Sequence, residues 1–215
     1  MKRTLFIAAA ALAATLTSAA YAQPAAKNIT IDATPTTVKF GRTATLSGKL
    51  TGQNNDNKPV VVQEDPFPVD TFGGNAGTAT TNASGDWSLI VKPELNTRYM
   101  ARSGNADSKT VDVLVRPAIS LTLSDRTPKL GTKVTFSGRL CPEHDGVRVA
   151  LQRRVAPNQW RTLRNPLLKD APGTECSTYS RGVRPRRDGA FRILFRGDAD
   201  HAEGPSRTRR VDVHR

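Results

Sequence analysis

Histidine, cysteine and aromatic residues are all scarce in this 215-residue chain, and each scarcity removes a class of function. The three histidines, His144, His201 and His214, fall into no H-E-x-x-H run and no zinc-type Cys/His spacing, and no G-x-S-x-G presents a nucleophile. Gly73-Gly74 lacks the lysine and helix that turn a glycine-rich loop into a phosphate cradle. Glu64 and Asp65 are adjacent carboxylates, whereas acid–base work on a glycosidic bond needs two carboxyls facing each other across a cleft. The chain therefore reads as no enzyme, with no catalytic residue, no cofactor and no metal centre expected. Aromatic residues make up 6%, and only Trp160 and Tyr179 are expected near the outward-facing arginines of the second half. That is too few to stack successive bases, so nucleic acid is disfavoured as a partner.

Long apolar runs are also missing. Leu5 to Leu16 is apolar and alanine-rich but too short to span a bilayer, and nothing later reaches about 18 continuous apolar residues, so no transmembrane segment is expected. Lys2 and Arg3 precede that run and Ala20-Tyr21-Ala22 follows it, the charged start and small-residue cleavage site of an export signal over residues 1–22. Gln23, not cysteine, follows the cleavage point, which argues against a lipid anchor. The expected location is outside the cytoplasm, periplasmic or extracellular.

Only two cysteines occur, Cys141 and Cys176, both in the second half. In an oxidising compartment the default is a disulfide, stabilising by about 3–4 kcal/mol in the chain-entropy view; a reactive or metal-binding pair is the alternative. The first half has no such staple and must rely on its core. Charge is uneven too. Residues 23–117 carry 10 Lys and Arg against 9 Asp and Glu, whereas residues 118–215 carry 20 against 10, and 17 of those 20 are arginine. Such an excess suits a polyanionic partner, though arginine enrichment also follows from base composition and solubility.

What is present in quantity is alternation. FGRTATLSGKL (residues 40–50) returns as LGTKVTFSGRL (residues 130–140), so Gly41, Thr45, Ser47, Gly48 and Leu50 recur as Gly131, Thr135, Ser137, Gly138 and Leu140. Repetition at a fixed offset marks one structural unit used twice. Around the first copy, residues 26–33, 43–50, 59–63, 87–91, 97–103 and 108–115 alternate apolar and polar side chains as half-buried strands do, and residues 64–79 read as a long loop or ragged edge strand. Around the second, Ile119, Leu121 and Leu123 alternate, as do Val147, Val149 and Leu151, and Phe191, Ile193 and Phe195; residues 159–163 suit a short strand and 164–174 a loop. Asp188-Gly189 reads as a turn that matches Gly85 and places Phe191 opposite Trp87 in the plan, both as core aromatics. Gly41 and Gly131 suit turns with glycine-only angles, Gly48 and Gly138 a bulge or close approach. No helical period occurs. Pro117 alone separates the last strand of the first unit from the first strand of the second, a short, stiff connection.

These motifs resemble bacterial Ig-like repeats of exported and surface proteins: a proline and valine, then G-x-x-V-T-L-S-G-x-L, a P-V strand, a D-G-x-W/F turn, a Y-x-A strand and a closing V-x-V-x-V. Pro35, Val38, Gly41, Ser47, Gly48, Pro59, Val60, Trp87, Tyr99, Ala101, Val111, Val113 and Val115 carry it in the first unit; Pro128, Gly131, Val134, Ser137, Gly138, Val149, Leu151, Phe191, Val211 and Val213 carry it in the second. The resemblance implies an all-β chain of two tandem Ig-like (fibronectin type III-like) antiparallel sandwiches, 23–117 and 118–215, behind the signal. It implies no activity, since such sandwiches host many functions. Two departures stand out: Asp200-His201-Ala202 replaces Tyr99-Met100-Ala101, and the cysteine spacing does not match the inter-sheet disulfide of antibody domains.

The functional expectation is a non-catalytic structural, adhesive or spacer module at the cell envelope or beyond it, with another surface protein as one partner. A second is a module binding an anionic envelope polymer, glycan or lipid head group; a third is an accessory domain of an exported enzyme system. For the second, alternation places Arg148, Arg154 and Arg210 on one outward face, with Arg184, Arg186 and Arg187 forming a basic loop at one end; the guanidinium fork suits phosphate and carboxylate. Asp198, Asp200, His201 and Glu203 form an acidic loop, but their spacing fits no calcium-loop signature, and they read as a solvated, arginine-paired loop.

Overall fold

A computed structural model describes residues 27–215; the leader expected at 1–22 lies outside them. The described chain is all strand, turn and loop. Its first half runs β1 (Asn28–Ile29), β2 (Asp32–Thr34), β3 (Thr37–Lys39), β4 (Ala44–Thr51), β5 (Pro59–Pro66), β6 (Gly74–Thr80), β7 (Asp86–Val91), β8 (Thr97–Ser103) and β9 (Ala106–Arg116). The second runs β10 (Ala118–Ile119), β11 (Thr122–Leu123), β12 (Val134–Cys141), β13 (Ala150–Ala156), β14 (Gln159–Arg164), β15 (Lys169–Asp170), β16 (Ser177–Val183), β17 (Gly189–Phe195), β18 (Gly204–Pro205) and β19 (Arg209–Val211).

Four sheets result. In the first half β4 pairs with β1, β2 and β7, while a second sheet runs β3-β9-β8-β5-β6. In the second half β12 pairs with β10, β11 and β16, which pairs on to β15, and the other sheet is β14-β13-β17 with β18 and β19 both on β17. Pairing is antiparallel except between β3 and β9. Period-2 side chains explain two of these faces directly: Ala44, Leu46 and Leu50 point inward from β4, as Val134, Phe136 and Leu140 do from β12. Each pair of sheets encloses its own core. One core joins Leu46, Leu50 and Trp87 to Val62, Tyr99 and Val113; the other joins Phe136, Leu140 and Tyr179 to Leu151, Phe191 and Ile193. Phe136 and Phe191 meet across the sheets with ring centroids 5.0 Å apart. Each such side chain, fully buried, stabilises by about 1.5–3 kcal/mol.

The repeated glycines sit where backbones touch. A Cβ on Gly48 would lie 1.9 Å from the carbonyl oxygen of Thr30, and one on Gly138 2.2 Å from that of Ser120. Opposite them, in register, stand Trp87 on β7 and Tyr179 on β16. Tyr179 donates its hydroxyl hydrogen bond to the Ser120 carbonyl. The counterpart of Trp87 is therefore Tyr179, not Phe191, which lies on β17 in the other sheet; Phe191 and Trp87 are both buried, as expected. Likewise residues 200–202 form a loop rather than a strand in the register of 99–101.

Three further features have local causes, the first of them matching the ragged edge strand offered for residues 64–79. Residues 64–79 resolve into an extension of β5 and the edge strand β6, whose Gly77 takes a φ of +146° that few other residues adopt. Strand β16 shows little alternation because Ser177 and Tyr179 are its only fully buried residues. Val147, expected inside, is 37% exposed, because β13 begins only at Ala150.

Replacing Gly48 or Gly138 by alanine should cost at least as much as ordinary overpacking, about 1–3 kcal/mol. Gly41→Ala meets open space at a φ of +80° and should cost about 1 kcal/mol; urea unfolding of the three variants tests the ranking. Burial, then the Glu64 charge, pushes the Tyr99 phenol up to about 12. The neutral phenol is thus favoured in the folded state. Absorbance titration should show no Tyr99 phenolate near the ordinary value of about 10, with stability falling as pH rises from there toward about 12.

Candidate functional site

The six expected arginines fall into three places. Arg154 and Arg210 share one shallow concavity with Val155, Asp188 and Ala190, as the common sheet of β13, β17 and β19 requires. Neither guanidinium is idle there. Arg154 lies 5.1 Å and Arg192 4.2 Å from the centroid of Trp160, which they flank, and Arg210 pairs with Asp212 at 2.7 Å. Arg148 is not on that face: it precedes β13, donates to the Asn165 carbonyl at 3.0 Å, and lines a groove with Arg181 of the opposite sheet. Arg184, Arg186 and Arg187 do cluster, and the structure adds Arg153 and Arg164 to them in one concavity backed by Phe191. Burial, followed by the neighbouring Arg187 and Arg161 charges, holds the Arg153 guanidinium below its ordinary pKa. Among the described residues no carboxylate lies within ion-pairing distance of these five arginines.

A second place with chemical content is the seam between the halves. Only Pro117 separates β9 from β10, and the loop between β17 and β18 folds back across that point. Asn96 N–H donates to the Asp200 carbonyl at 2.8 Å, and Ala202 N–H to the Val115 carbonyl at 2.8 Å. Asn96 also accepts from Val115 N–H through Oδ1 and donates through Nδ2 to the Ala199 carbonyl. The acidic loop is therefore bonded to the first half through its backbone while its carboxylates stay partly exposed, and among the described residues none of those carboxylates pairs with an arginine. Proximity to the other half is what local sequence does not reveal.

The loop brings together four groups. His144 from the β12–β13 loop, Asp198, Asp200 and His201 offer ligand-type atoms all within 4.8 Å of one another. His144 is 9% and His201 1% exposed. His144 Nε2 lies 3.3 Å from Asp198 Oδ2 and His201 Nδ1 lies 3.3 Å from Asp200 Oδ1, yet neither nitrogen makes a hydrogen bond. The rings stack edge-on, 4.9 Å between centroids, and Phe195 meets His144 edge-on at 4.8 Å. Burial, then the neighbouring Asp200 carboxyl, raises the Asp198 carboxyl above the usual range; the same interaction with Asp198 holds Asp200 below it. Glu203, grouped with these residues by sequence, is not among the four. His144 was outside that grouping because it enters from another loop; its position just after Cys141-Pro142 is the one sequence signal that it is anchored.

The anchor is the disulfide. Cys141 and Cys176 are bonded, and they join neighbouring strands of one sheet, since Leu140 faces Ser177 in the β12–β16 register. Beside the bond, Ser177 Oγ accepts from His144 N–H at 2.7 Å and donates to Asp145 Oδ1. Neither a comparison with protein-family models nor one with curated proteins finds a match for this chain.

Replacing both cysteines by serine should lower stability by about 3–4 kcal/mol. It should also raise amide exchange at residues 143–147 more than elsewhere in the second half, measured by hydrogen exchange with mass spectrometry.

Proposed function

We propose that the chain is an exported, non-catalytic pair of Ig-like β-sandwiches, resembling the bacterial repeats of surface proteins, that acts as a spacer or structural module holding what it joins at a set distance and angle. The observation that carries this reading is the seam: a one-residue covalent link closed by backbone hydrogen bonds from Asn96 to Asp200 and from Ala202 to Val115. A flexible linker would need several residues free of such bonds. A disulfide and the lack, among the described residues, of any helix long and apolar enough to cross a membrane are compatible with export. The test is backbone ¹⁵N relaxation. One rotational correlation time shared by both halves supports a rigid spacer; two independent values sink it.

A second reading rests on the arginine cluster. Arg153, Arg164, Arg184, Arg186 and Arg187 crowd like charges in one concavity, an arrangement that an anion relieves. The ligand class is a polyanion of the envelope, a glycan or a lipid head group. Binding of the full-length protein to anionic vesicles should weaken as salt rises, and the triple variant Arg184→Ala, Arg186→Ala, Arg187→Ala should bind about tenfold more weakly with a flatter salt dependence. Unchanged binding by that variant removes the cluster from the function.

A further inference from the structure

We propose that His144, Asp198, Asp200 and His201 form a site for one divalent late transition-metal ion, Zn²⁺ foremost, that clasps the two loops at the seam. The proposal does not depend on the spacer reading: it follows from where the protons must be. His144 Nδ1 lies 2.9 Å from the Pro142 carbonyl, and His201 Nε2 lies 2.9 Å from the Glu94 carbonyl. A carbonyl oxygen only accepts, so each of those ring nitrogens carries the hydrogen. In a neutral imidazole the other nitrogen is then a bare lone pair. Those other nitrogens, His144 Nε2 and His201 Nδ1, are two of the four buried side-chain atoms among the described residues that find no hydrogen-bond partner; unlike the other two, Trp87 Nε1 and Tyr99 Oη, both have a carboxylate oxygen 3.3 Å away.

Lone pairs facing lone pairs in a buried setting repel unless a proton or a metal ion lies between them, and a single metal ion serves both pairs at once. Fixing the outer ring nitrogen with a carbonyl is also how metal-bound histidines are held in tautomer and orientation. The spacing agrees. Metal–ligand bonds of about 2.0 Å in a tetrahedron place neighbouring ligand atoms about 3.3 Å apart. Both nitrogen–oxygen separations are already 3.3 Å, the four side chains offer ligand atoms none more than 4.8 Å apart, and rotation of the partly exposed Asp198 and Asp200 can draw the carboxylate oxygens closer. Those two carboxylates also give an ion its route in.

The donor set selects the ion. Two imidazoles and two carboxylates suit Zn²⁺, with Cu²⁺ and Ni²⁺ as competitors, whereas Ca²⁺ and Mg²⁺ prefer all-oxygen sites. Four protein ligands leave no open position, so the role is structural. The ion ties His144, beside the disulfide, to the loop that hydrogen-bonds Asn96 and Val115. Another exposed carboxylate trio, Glu143, Asp145 and Asp170, has no buried lone pair aimed at it and is not part of the site.

The protein should be produced full-length in an exporting host without an affinity tag, freed of metal with a chelator, and titrated calorimetrically with ZnCl₂ in excess calcium. Saturable 1:1 binding, a zinc-dependent rise in Tm, and the intense visible bands of four-coordinate Co²⁺ are expected. On zinc addition the ring-nitrogen NMR shifts of His144 and His201 should move while those of exposed His214 stay put. Asp198→Asn keeps the acceptor for His201 N–H, which Asp198 Oδ1 supplies at 2.9 Å. It should therefore hold the metal-free Tm while weakening zinc binding by at least about a hundredfold, the upper end of what losing only a ligand's hydrogen-bond partner costs. His144→Gln gives an independent loss from the other loop. No saturable zinc binding, wild-type affinity in Asp198→Asn, or a six-coordinate Co²⁺ spectrum each overturns the proposal. If zinc binds but the two halves tumble independently, the site stands and the spacer reading fails.

Discussion

A loop of the second half supplies backbone and one buried imidazole to close the boundary with the first, and the relative placement of the two cores depends on it. His201 is tied through Nε2 to the Glu94 carbonyl, its own amide is held by Asp198, and the residues on either side bond Asn96 and Val115. Each such bond is worth only about 0.5–1.5 kcal/mol net. Removing one partner is a larger loss, because it strands a buried polar group. The seam is therefore cooperative: its members are satisfied together or not at all.

The two cores themselves were legible from the chain. Alternating valines, leucines and aromatics marked most strands, and the repeated Gly-x-x-x-Thr-x-Ser-Gly-x-Leu marked the strand around which each first sheet forms. For Gly48 and Gly138 the chain offered a bulge or a close approach, and the structure shows the close approach. What could not be read was pairing. Nothing local says that Tyr179, in a polar stretch, stands opposite Gly138, so the visible glycine–aromatic rhythm pointed to Phe191 instead. The side chain of Trp87 covers Gly48 from the next strand in the same way, and only the register makes the two sites equivalent.

The charge imbalance was legible in composition, and the placement of those charges was not. The arginine excess is real, but period-2 reasoning could not know that β13 starts late, and so it put Arg148 on a face it does not share. It likewise left out Arg153 and Arg164, which join the loop arginines only through the closing of the sandwich. Of the acidic loop, the expected arginine pairing is absent among the described residues, and what local sequence missed is that its backbone and His201 bond the other half of the molecule. His144 completes the cluster from a separate loop whose position is set by the disulfide, a relation invisible until the strands are paired.

Strand direction carries one more consequence. Asn28 pairs with Thr51 at the end of β4 remote from the seam, and His214 lies beside Lys129, near the Asp188 turn at the far end of the other sandwich. A tensile load applied at those two points must pass lengthwise through both sandwiches and cross between them at Pro117. There the Ala202–Val115 and Asn96–Asp200 bonds run alongside the covalent path and share the pull. The load path through the middle of the molecule is thus doubled, one strand covalent and the other made of hydrogen bonds.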